Sequence, residues 1–168
     1  MFRYSEKLWP FWFYVQVEDP SEAGLTAHFD YVSARMRERA HLARERRYAY
    51  VIQITDRSFR QANANERTLL AQWIARDTEL MQATAVGVGF VLDSVLVRGA
   101  LTAVFWLSRM PVPHRVHASL DQALLAAIHT IEDAHLPLPA GFRSQGLSIA
   151  QAEIDSLLRQ PGLRARKA

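Results

Sequence analysis

The chain has 168 residues, about half of them apolar, a formal net charge of +3 and no cysteine. That length supports one domain with a sizeable core. The lack of cysteine excludes disulfides, thiolate metal sites and a cysteine nucleophile, and fits a reducing compartment.

The N-terminal stretch "MFRYSEKLWPFWFYVQV" lacks the basic-then-apolar order of a signal peptide. Within it "FRYS" suits an antiparallel edge strand, and "PFWFYVQVED" reads as a strand. Ser21 is the expected N-cap of a first helix of about six turns, with Leu25, Phe29, Val32, Met36 and Ala40 at helical spacing. The basic density peaks at Arg35 to Arg47, interrupted by Glu38 and Glu45. This run continues the amphipathic helix, so a solvated polar face is expected rather than a nucleic-acid surface. "YAYVIQITD" is uniformly apolar and predicts a central strand covered on both faces.

A polar loop containing Ser58 then leads to a second helix, with Leu69, Leu70, Trp73, Ile74, Leu80 and Met81 inward. "VGVGFVL" predicts the next strand. Gly87 and Gly89 do not form a dinucleotide fingerprint, and are expected to admit a neighbouring helix. Asp93 or Ser94 caps a third, apolar helix, "VLVRGALTAVFWLSR". It is shorter than the ~20 residues of a membrane span and carries Arg98, so no transmembrane segment is expected. "HRVHAS" predicts a short strand with His114 and His117 on opposite faces. A fourth helix follows, with Leu124, Ile128 and Ile131 inward. The alternation predicts an α/β fold of four or five mostly parallel strands alternating with helices, plus a C-terminal helix.

This alternation, with "VIQITD" and the long apolar helix after "VGVGFVLDSVLVRGA", resembles the SpoIIAA-like fold, the group of STAS and SEC14-like domains. The resemblance covers residues 1–137. It implies a signalling domain, an oligomerisation module or a small-ligand binder. The phosphorylatable serine turn of STAS antagonists is absent, and Ser58 is expected to be a turn residue.

No nucleophile elbow, phosphate loop, converging carboxylate pair or histidine pair with metal-site spacing is legible, so no enzyme activity, cofactor or metal is expected. Arg98 lies in the first turn of its helix, where a cation opposes the helix dipole. Either Asp93 offsets it or an anionic ligand does.

Residues 138–147, "LPAGFRSQGL", are expected to be a linker before a C-terminal interaction helix over 148–159. Ser148 and Gln151 suit a capping box. Gln151, Glu153, Ile154, Asp155, Leu157 and Leu158 match in register a peptide of flagellar motor switch proteins. That resemblance implies binding of a chemotaxis-type response regulator receiver domain. A helix so short needs a surface, its own domain or a partner's. Two expectations follow for a cytoplasmic protein. One is a non-enzymatic signalling adaptor whose tail docks on a receiver domain. The other is a binder of a small anionic or lipid-like ligand. Self-association is left open.

Overall fold

The computed structural model describes residues 1–55, 63–92, 94–95, 101, 105 and 109–159. Its strands are β1 (Phe2–Ser5), β2 (Phe11–Gln16), β3 (Ala49–Thr55), β4 (Ala85–Val91) and β5 (His114–His117). They form one sheet in chain order, with β1 antiparallel to β2 and the other pairs parallel. The described helices are α1 (Glu22–Ala40), α2 (Arg44–Arg47), α3 (Ala64–Arg76), α4 (Thr78–Thr84), α5 (Leu120–Asp133) and α6 (Phe142–Arg159). This is the expected α/β class with a C-terminal helix. None of these helices is long and apolar enough to cross a membrane.

Alternation along each strand creates two cores. On one face Trp12, Tyr14 and Val88 meet Val32 and Met36 of α1, Ile74 of α3 and Met81 of α4. On the other, Phe11, Phe13, Val15 and Ile52 meet α5 and α6. Every residue of β2 is buried, which explains its unbroken apolar run. Ser21 caps α1 as expected, accepting from the Gly24 N–H.

At Gly87 and Gly89 the structure adds a neighbour that the sequence did not announce. The side chain nearest to both is the Tyr50 ring, on a strand that α5 also packs against. A Cβ at Gly87 would sit 2.7 Å from Tyr50 Cε2. The register pairs Tyr50 with Gly87 across β3 and β4, and only glycine leaves room for the ring to lie flat.

The predicted second helix is interrupted at Asp77, between α3 and α4. Asp77 is buried and accepts from Ser33 of α1 and, at 3.0 Å, from Arg76. Burial pushes its carboxyl up, but the Arg76 and Ser33 hydrogen bonds and the neighbouring arginines hold it below the ordinary carboxylate range.

The tail corrects the expected linker. Residues 142–147 belong to α6, which begins at Phe142 and not at Ser148. Its stripe runs Phe142, Gly146, Ala150, Ile154 and Leu157, all buried. Phe142 stacks on Phe11 with ring centroids 4.3 Å apart. Gly146 lies within helix because the Phe142 ring folds onto it; a Cβ there would be 3.0 Å from that ring. Arg3 donates to the Leu157 and Leu158 carbonyls, the latter at 2.7 Å, and so caps the negative end of α6 with a cation. Lys7 and Glu153 pair at 3.2 Å. The helix is a member of the domain's own core.

Candidate ligand-binding cavity

The expected interaction stripe is consumed internally. Ile154 is 4% exposed and Leu157 1%, whereas Leu158 is 45% exposed. Of the other matched residues, Glu153 faces Lys7, and Gln151 donates to Asp155 at 2.9 Å. An exposed remnant of Gln151 and Leu158 with half-buried Asp155 is no three-residue aliphatic anchor. Arg98, Asp93 and Ser58 lie outside the described residues. His114 and His117 occupy opposite faces: His114 lies edge-on to Phe105 at 4.8 Å, while His117 faces Gly89. Among the described residues no group of three or more His, Asp or Glu side chains is placed to hold a metal.

The arginine run is not one solvated face. α1 stops at Ala40, and Arg39 near its end is only 5% exposed. Its guanidinium lies between the Trp9 and Trp12 rings, 4.2 and 4.5 Å from their centroids, and pairs with Glu6. Glu6 also holds Arg35 at 2.8 Å. These are cation–π contacts reinforced by a carboxylate.

Beyond the break at His41 to Ala43 the chain makes the single turn α2. Trp9 fixes this turn by donating Nε1–H to the Glu45 carbonyl at 2.6 Å. Arg44 and Arg47, three apart, therefore share a side. Arg44 donates to the Ala134 carbonyl at 2.8 Å, where α5 ends. A cation there complements the helix dipole. Arg47 lies over the Tyr48 ring at 4.9 Å, and its Nε is buried without a hydrogen-bond partner. Among the described residues neither arginine forms an ion pair; Glu132 is engaged by Arg143 at 2.9 Å.

Arg44, Arg47 and Tyr48, with Val86, Ala134 and Leu136, line a cavity of about 310 Å³ at the amino end of the sheet. Its lining mixes apolar side chains with two guanidinium groups. That combination suits an oxyanion attached to an apolar body. Sequence reasoning missed Arg44 and Arg47 because it extended α1 through them. The signal available was "AHLA", a short stretch without charge that separates two differently used arginine groups.

Comparison of the chain with protein-family models, with curated proteins and with solved structures finds no match.

Proposed function

We propose that this protein is a non-catalytic binding module for a small anionic ligand, held in the cavity between α2 and the end of α5. The observation that carries this reading is the Arg47 guanidinium. Its Nε is buried without a hydrogen-bond partner, and the residue lines a cavity of mixed apolar and basic character. An unmet buried donor on a cation is costly, and an incoming oxyanion relieves that cost. The resemblance to a fold group that includes SEC14-like binders is in keeping with this role. The adaptor reading needed Ile154, Leu157 and Leu158 together. Two of these are core residues, so we do not carry it forward.

Thermal-shift measurements with a panel of short organic anions test the proposal. A ligand that binds the folded state raises the melting temperature with concentration. The rise should vanish in Arg47→Ala and shrink in Arg44→Ala. A rise unchanged in Arg47→Ala, or no rise with any anion, removes the proposal.

A further inference from the structure

The chemistry of the same cavity narrows the ligand further. We infer that it takes an organic phosphomonoester, the phosphate meeting Arg44 and Arg47 and the organic group meeting Val86, Leu136 and the Tyr48 ring. This rests on the binding-module reading above.

The charge balance favours a dianion. Two guanidinium groups line the cavity, and among the described residues no carboxylate pairs with either. Arg46, exposed beside them, adds to the positive field. A phosphomonoester carries a charge of roughly −1.5 to −2 at neutral pH, against −1 for a carboxylate. Arg44 gives one N–H to Ala134, but a guanidinium has five, so it can still donate to the ligand. That existing bond also covers a carbonyl at the α5 terminus that would otherwise repel the phosphate. Arg47 lines the cavity beside Arg44 with no carboxylate partner among the described residues, which leaves its charge available to a phosphate.

The apolar lining argues against inorganic phosphate as the whole ligand. Burying Val86, Leu136 and an aromatic face against a hydrated ion returns no hydrophobic gain. A short chain or a single ring fills that part. Two sources carry this chemistry: a free metabolite and a lipid headgroup. Leu42, 44% exposed and two residues before α2, is an apolar side chain that a bilayer surface could take up.

Isothermal titration of the full chain with hexyl phosphate, hexanoate and inorganic phosphate tests the inference. A parallel arm uses flotation with phosphatidylcholine vesicles, with or without phosphatidic acid. Hexyl phosphate should bind about ten-fold or more tighter than the other two. Its affinity should fall between about pH 7.5 and about pH 5.5, as the phosphate gains its second proton. Arg47→Ala should lose the binding while melting as the parent does. Binding to phosphatidic acid vesicles alone, lost in Arg47→Ala, also supports the inference and assigns the phosphate to a lipid. Hexanoate bound as tightly as hexyl phosphate overturns the inference and leaves the binding-module reading standing. Inorganic phosphate bound as tightly overturns the apolar half. No binding in either arm overturns both.

Discussion

The side of the molecule built from β1, α1 and α6 and the end built from α2 and α5 use cations in opposite ways. On the first, Arg39 has a carboxylate, Glu6, and two indoles although its Nη1 lacks a hydrogen-bond partner, Arg3 has two helix carbonyls, and Lys7 has Glu153. His28 is buried against Phe2 and Tyr4, and burial pushes its pKa down to about 3. On the second, Arg47 has a ring beneath it and, among the described residues, no carboxylate partner. Charge that is satisfied holds a fold together. Charge left unmatched beside a cavity is available to a ligand.

Substitutions can break this contrast. The largest effect is expected at Arg39. Arg39→Ala takes the cation from between two tryptophans, although Glu6 keeps Arg35, and should cost about 3–5 kcal/mol in urea melts. A cost no larger than that of Arg47→Ala would erase the distinction between the two arginines. Next comes α6. Leu157→Ala should cost about 2–5 kcal/mol, while Leu158→Ala, its exposed neighbour, should stay within about 0.5 kcal/mol. Equal small costs would mean that the helix is held less firmly than its burial implies.

Acid gives the third effect. His28 binds its proton more readily unfolded, near pH 6.5, than folded, near pH 3. Its share of the stability is complete above about pH 6.5 and falls as the pH drops towards 3, by up to about 1.4 kcal/mol per unit. At pH 5 this approaches about 2 kcal/mol. Melts across this range should show a slope that His28→Phe flattens; an unchanged slope would assign the acid lability to other groups. The smallest effect is Arg47→Ala, within about 0.5 kcal/mol in stability although it removes binding.

What the sequence made legible was local. The apolar runs of β2 and β3, the Ser21 cap, and the opposed faces of His114 and His117 follow from alternation and turn chemistry, and all are present. What it hid was long-range. Asp77 interrupts a helix because Ser33, on another helix, bonds to it. Arg39 is buried because Trp9 and Trp12 lie across from it. The tail read as a linker because Pro137, Pro139, Gly141 and Gly146 punctuate it, yet Gly146 is where the Phe142 ring needs space. The cavity joins α2 to residues some ninety positions later, through the Arg44–Ala134 bond, and no short pattern announces that.

The bond from Arg3 to the end of α6 has a consequence for synthesis. Strand β2 is made early, but the aromatic surface of Phe11 and Phe13 is not covered until Phe142 to Leu157 have left the ribosome. A nascent chain must therefore carry that surface open until those later residues are made, and the Arg3 contact closes across 154 positions.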